Sequence, residues 1–248
     1  MKASWVALSL VAYIAFTLAL FPAPAAHRWF APAGLQLAGI EGTVWSGRAA
    51  LGSVGGLGFH DIAWELYPWS VLFANVSGRV QARFDGGFVQ TGIRVGPGGT
   101  SLTGLRAAAP LATLATVLPI RGTQGQASVE FAEIVLRAGW PVDAVGELRL
   151  GAVAVPPLMP VGGLIELGNY TVSFGATAGE GLAGAFTDAG GPLEVTGSLR
   201  LNPNRDYLIE GAVRARPEAD AALVQGLEFM TGEPDSAGMR QFALAGSL

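Results

Sequence analysis

The 248-residue chain contains no cysteine. Disulfides, thiolate metal sites and cysteine nucleophiles are therefore excluded, and stability has to come from packing and sheet pairing. Lysine occurs once, at Lys2, so the body of the chain has no P-loop. Histidine occurs only at His27 and His60. With no His-Glu-x-x-His or His-x-Glu spacing, the ligand chemistry argues against a zinc site. A Ser–His–acid triad would have to use His60, and no Gly-x-Ser-x-Gly elbow accompanies it. Charged residues are only 14% of the chain and the net charge is −4, with no basic block. Nucleic acid is not an expected partner on that balance. Gly96-x-Gly98 is no dinucleotide fingerprint, because the third glycine is missing and a strand follows.

What the chain does have is apolar residues, at 50%, with 36 glycines and 15 prolines. The glycines separate short apolar runs without a collagen or low-complexity period. They read as turns and bulges of a β-rich protein. One run differs from the rest. Trp5 to Phe21, WVALSLVAYIAFTLALF, has no charge, glycine or proline. Counted from Ala3 it is roughly 19 uncharged residues, about 28 Å as a helix at ~1.5 Å per residue. That is close to a bilayer's hydrocarbon thickness. Lys2 and the α-amino group should remain cytoplasmic, so the rest emerges on the far side. The alternative is a cleaved signal peptide, with Ala23 and Ala25 at Ala-x-Ala spacing. Both readings export the remainder.

After the run, His27 to Leu37 reads as an exit from the membrane, with Trp29 and Phe30 at interfacial depth. Leu37 to Ala50 reads as two short β segments or one bulged strand. Phe59 to Leu66 is a strand whose apolar face carries Trp64. Tyr67-Pro68-Trp69 turns the chain, and Ser70 to Phe73 follows as a turn or helical piece. In Gly78 to Phe84, Val80, Ala82 and Phe84 share one face and Arg79, Gln81 and Arg83 the other. Asp85-Gly86 is a hairpin pair, and Phe88 to Val95 the return strand.

Ala107 to Leu118 has leucines at helical spacing behind Pro110, which predicts a helix. Further β segments are expected at Gly122–Phe131, Ile134–Arg137, Val145–Val153, Gly163–Leu167, Tyr170–Thr177, Gly181–Thr187 and Leu193–Leu201. Asn202 to Asp206 is a turn. Tyr207 to Arg216 returns, with Tyr207, Ile209, Val213 and Ala215 inward and Glu210, Arg214 and Arg216 outward. Asp220 caps a helix to Met230, and Met239 to Leu248 closes as a strand.

Site chemistry is sparse. Glu130 and Glu133 are the nearest paired carboxylates, and a solvated face is the preferred reading of both. Trp45, Trp64, Trp69 and Trp140 could line a sugar or lipid groove, but large aromatics more often fill β cores. No catalytic, cofactor-binding or metal-binding residue is assigned, no cofactor is expected, and the chain does not read as an enzyme.

Glu41 to Ala49, EGTVWSGRA, and Trp64 to Leu72, WELYPWSVL, resemble the opening of the type II secretion system protein N family. Gly197 to Tyr207, GSLRLNPNRDY, with Gly211 to Ala215 and the closing Gly232-Glu-Pro-Asp, resemble its end. The middle, roughly Gly86 to Val195, matches in style only. The resemblance implies an inner-membrane protein with its bulk in the periplasm, working with other type II secretion subunits. The family is similar in architecture to the AsmA-like group, which implies an alternative: a periplasmic lipid-binding or lipid-transfer module with an apolar groove.

The expected fold is therefore mainly β. Residues 1–26 would form a cytoplasmic tip and transmembrane helix. Residues 27–248 would form a periplasmic, curved, mostly antiparallel sheet with one or two short helices. The expected partners are the inner membrane and other secretion subunits, with a lipid under the alternative.

Overall fold

Period-two alternation of apolar and polar residues dominates the body of the chain, and the computed structural model turns it into antiparallel sheet. The structure describes residues 5, 9, 13, 16–17, 19–30, 34–114, 122–156, 163–175 and 181–247. The chain divides into two units, Met1–Pro97 and Gly98–Leu248. Most of the expected membrane segment lies outside the described residues. Among those described, no helix is long and apolar enough to cross a membrane.

The first unit holds helix α1 (Ala23–Phe30), strands β1 (Gln36–Gly42), β2 (Ser46–Val54) and β3 (Leu57–Leu66), a 3-10 helix (Pro68–Phe73), and strands β4 (Val76–Phe84) and β5 (Gly87–Gly96). Each strand pairs antiparallel with the next in the chain. The β2–β3 turn is the pair Gly55-Gly56, with φ of 58° and 85°. Both values are left-handed, as a two-residue hairpin turn requires. Leu37–Ala50 is two strands, the first of the two expected forms. β4 alternates as its sequence dictates, with Ala82 buried and Arg79, Gln81 and Arg83 exposed. In β3 the alternation breaks. The register against β4 slips between His60 and Ala63, and Asp61 has a φ of 51°. A β-bulge there inserts one residue.

The second unit holds β6 (Gly99–Pro110), β7 (Gln124–Arg137), β8 (Trp140–Val155), β9 (Ile165–Phe174), β10 (Leu182–Asp188), β11 (Leu193–Leu201), β12 (Asp206–Ala215), helix α2 (Ala221–Met230) and β13 (Arg240–Ser247). Neighbours in this unit's sheet are again neighbours in the chain, all antiparallel. Several expected short segments merge. Gly122–Phe131 and Ile134–Arg137 become one strand, β7, bent by a bulge between Phe131 and Glu133. Gly163–Leu167 and Tyr170–Thr177 merge into β9, which ends at Phe174; residues 176–177 lie outside the described residues.

The helix expected over Ala107–Leu118 is corrected. Ala107 to Pro110 finish β6, paired with Val129 to Gln126, and Leu111 to Leu114 form a turn. Residues 115–118 lie outside the described residues. The neighbouring β7 offers a long ladder of N–H and C=O groups, and pairing with it overrides the helix preference of an alanine run. The helical spacing of Leu111 and Leu114 reflects this turn, which buries Leu111 against Ala127 and Val153. Asp220 does cap α2, its carboxylate accepting from the Ala222 N–H at 2.7 Å.

The core of the second unit lies on one face of its sheet. Ala127 and Phe131, four residues apart on β7, each belong to a buried cluster. Leu167 and Tyr170 join the cluster around Leu111 to that around Leu193, Val195, Val213 and Leu223. Leu223 and Leu227 of α2 close over the last of these. Across the other face run ion pairs between paired residues, Arg106–Glu130 at 3.2 Å and Arg214–Glu194 at 2.5 Å. Such exposed pairs add about 0–1 kcal/mol each.

Many glycines sit inside strands beneath aromatic rings, a role beyond the turns and bulges expected of them. Gly47 pairs with Trp64, and a methyl group on Gly47 would stand 2.5 Å from the indole. Phe186, Gly197, Gly211 and Phe242 form one row across β10 to β13, with the two phenyl centroids 6.2 Å apart over the two glycines. Phe131 and Phe174 flank Gly146 in the same way, 5.5 Å apart. A bare glycine backbone is weak in a strand; a ring laid across it restores the lost contact and shields the ladder.

Candidate functional site

The most enclosed polar cluster joins the ends of three strands. Asp188 closes β10 and begins the turn Asp188-Ala-Gly-Gly-Pro192. Arg216 follows β12, immediately before Pro217. Its backbone N–H donates to the Pro192 carbonyl at 2.8 Å. That bond carries the β11–β12 register one position past the strand, where Pro217, with no N–H to give, follows. The Arg216 guanidinium donates to the Asp188 carboxylate at 2.6 Å, and to the carbonyls of Gly191 and Leu193 at 2.7 and 3.0 Å. Asp188 also accepts from the N–H of Val195 at 2.9 Å and of Gly190 at 3.4 Å. Its side chain is only 12% exposed, that of Arg216 28%. The sequence expectation that Arg216 points outward is thereby corrected.

Burial pushes the Asp188 carboxyl up, but the Val195 N–H and the Arg216 guanidinium outweigh it and hold the group below the usual carboxylate range. Tyr170, on β9 beside this cluster, is pushed up to about 12, first by burial and then by the Asp188 charge. Its hydroxyl donates to the Leu167 carbonyl at 2.6 Å. A carboxylate held by three donors and kept below its usual range is a poor proton acceptor, and a phenol held neutral is a poor nucleophile. The arrangement clamps the β10–β11 turn to the end of β12. Neither residue stood out in the sequence, because the partners are 28 residues apart and Arg216 continues an alternation that the strand no longer follows.

The sequence candidates do not converge. His60 lies on β3, paired with Leu51 and Arg83. Glu130 pairs with Arg106 on an exposed face, and Glu133 is exposed beyond the β7 bulge. Among the described residues, no group of three His, Asp or Glu side chains could hold a metal ion. A depression of ≈ 390 Å³ in the first unit is lined by Asp61, Gln81, Arg83, Phe88 and Gln90 among others. Its charged pair, Arg83–Asp61, is 3.8 Å apart and largely solvated.

The tryptophans divide. Trp64 is half-buried, its Nε1–H donating to the Val44 carbonyl at 3.0 Å. Trp140, also half-buried, donates to the Asn202 carbonyl at 3.0 Å and carries the Arg205 guanidinium 5.8 Å above its ring. Trp45 is half-buried. Trp69 departs from the core reading: it is 74% exposed on the 3-10 helix.

Two of the exposed surfaces among the described residues bear on contact with a partner. One is that 3-10 helix. The other is β13, which pairs with β12 alone. Gln241 to Ser247 of β13 contains no charge and no proline, and Leu244 is 55% exposed. At the first unit's end strand, β1, Gly39 and Gly42 have φ of 65° and 90°, and Glu41 is ion-paired to Arg48 at 2.6 Å. Irregular backbone and charge are the usual protections of a sheet edge; β13 has one charge, Arg240 at its start, and none from Gln241 to Ser247.

The sequence model for the type II secretion system (T2SS), protein N, aligns with residues 33–243. The chain belongs to this family. Two relatives, each called type II secretion system protein N, align over almost their full lengths. The one from Aeromonas hydrophila is 29% identical over 249 residues, covering 94% of this chain and 93% of its own. The one from Vibrio cholerae serotype O1 is 28% identical over 250 residues, covering 97% and 93%. No solved structure matches the chain with significance. The family's protein-transport role therefore accompanies a mainly β, antiparallel body, and the resemblance read from Glu41–Ala49, Trp64–Leu72 and Gly197–Tyr207 is borne out.

Proposed function

We propose that the protein is an accessory inner-membrane component of the type II secretion machinery, single-pass, with both β units in the periplasm, and that it docks other secretion subunits through β13. Family membership supports the machinery, and the uncharged Trp5–Phe21 run supports the membrane. The observation that carries the docking mode is the bare β13 edge. A strand stretch such as Gln241–Ser247, which pairs on one side only and holds no charge or proline, is a template for one more strand. In this reading the work is contact, and no reaction is assigned.

The test is purification of the full chain, after mild crosslinking, from membranes that contain the whole machine. Other secretion subunits should co-purify. A chain that sits folded in those membranes and brings down none of them contradicts the proposal. Recovery of stoichiometric lipid in their place would favour the lipid-transfer alternative.

A further inference from the structure

The segment Tyr67 to Gly78, YPWSVLFANVSG, has no charged residue. At its centre Trp69, Leu72 and Phe73 are 74%, 81% and 75% exposed. This exposure is built in. Ser70 is the anchor: its hydroxyl donates to the Tyr67 carbonyl at 2.6 Å and accepts from the Ser77 N–H at 3.0 Å. Its carbonyl accepts from the Asn75 N–H at 3.1 Å, and the Ala74 N–H donates to the Val71 carbonyl at 3.0 Å. The Asn75 side-chain amide donates to the Phe73 carbonyl at 2.8 Å. With these backbone groups satisfied internally, the loop presents tryptophan, leucine and phenylalanine over a closed hydrogen-bond set.

The loop also stands where the apolar run ends. Phe21, the last residue of that run, accepts from the Val44 N–H at 3.0 Å, and Pro22 bridges to Thr43. Trp45 in the same β1–β2 turn accepts from the Leu66 N–H at 2.6 Å, and Trp64 bonds to Val44. Leu66 runs directly into Tyr67. The root of the exposed loop and the end of the apolar run thus meet on one turn. The hairpin turns Gly55-Gly56 and Asp85-Gly86 lie at the other end of these strands, about 30 Å away for a nine-residue strand at ~3.3 Å per residue.

We propose that Trp69, Leu72 and Phe73 insert into the headgroup and upper acyl region of the bilayer and seat the first unit on the membrane surface. Aromatic and leucine side chains on an uncharged loop beside a spanning segment have the composition that partitions to this depth. The inference rests on the anchored reading proposed above.

Because the chain has no cysteine, one introduced thiol labels one place. The full chain carrying Leu72→Cys or Phe73→Cys, modified with the environment-sensitive fluorophore NBD, is reconstituted into phosphatidylethanolamine–phosphatidylglycerol vesicles. Val54→Cys at the far turn is the reference. The loop labels should shift to shorter wavelength and be quenched by lipids spin-labelled near the headgroup, with no change at position 54. If the chain floats with the vesicles and the loop labels stay as wet as the reference, the insertion is wrong while the anchor stands. If the chain does not float, both fall. Loop labels wet in vesicles but shielded in membranes holding the whole machine would assign the loop to a protein contact and also overturn the proposal. All three positions are exposed, so the melting temperature of each variant should match the parent within the small range of surface substitutions.

Discussion

Gly197→Val should cost the second unit about 3 kcal/mol, at the upper end of the overpacking range. Gly197 lies mid-strand opposite Gly211, and a Cβ there would run into the Glu210 carbonyl, the Phe186 ring and the Gly211 α-carbon. Two of these three obstacles are backbone, which cannot rotate away. The Phe186 ring could move, but it rests against Phe242 over the same glycine pair. Relief for the valine therefore means opening the β11–β12 ladder or displacing both rings. Hydrogen exchange of the β10–β12 amides reads this directly, and their opening free energy should fall by that amount while amides of β2–β4 keep theirs. Unchanged protection would show that the glycine–phenylalanine row does not hold the sheet.

Asp188→Ala should cost about 2–3 kcal/mol, because it removes a charged acceptor from several donors at once. The Arg216 guanidinium keeps its bonds to Gly191 and Leu193 but loses its counter-charge, and the Val195 N–H is left without an acceptor. The same pair sets a pH dependence. The Asp188 folded pKa is depressed, so its contribution is complete above the unfolded carboxylate value near ~4 and is lost as pH falls through the folded value. Tyr170 works at the other limit. Its folded pKa is raised from 10.0 to about 12, so stability is full below pH 10 and declines as pH rises towards 12. Melting temperature against pH should fall at both extremes, and Asp188→Ala should flatten the acid limb. An acid limb identical in the variant would mean that other carboxylates carry it.

Where local pattern and burial agree, the sequence was readable. Val80, Ala82 and Phe84 against Arg79, Gln81 and Arg83 predict β4 residue by residue, and Asp85-Gly86 its hairpin. Asp220 predicts the start of α2. The failures have a common cause, which is that the deciding partner lies on another strand. Ala107–Pro110 has helical composition, and only the β7 ladder makes it extended. Gly197 reads as a turn or bulge unless Phe186 and Phe242 are known to lie beside it. Trp69 reads as core by type, yet Ser70 pins the loop so that the indole faces out. Asp188 and Arg216 were invisible because no short-range rule joins them. The family resemblance survived all this, since it rests on Trp64–Leu72 and Gly197–Tyr207, whose residues carry the aromatic and glycine rows themselves.

The most direct test of the account places a photocrosslinking amino acid at Leu244, on the exposed β13 edge, and at Val54 in the first unit as reference. It uses cells that carry the complete secretion machine. The account predicts adducts from position 244 to another secretion subunit and few from position 54. A chain that is present and folded in the inner membrane, yet yields no secretion subunit from β13, would contradict it.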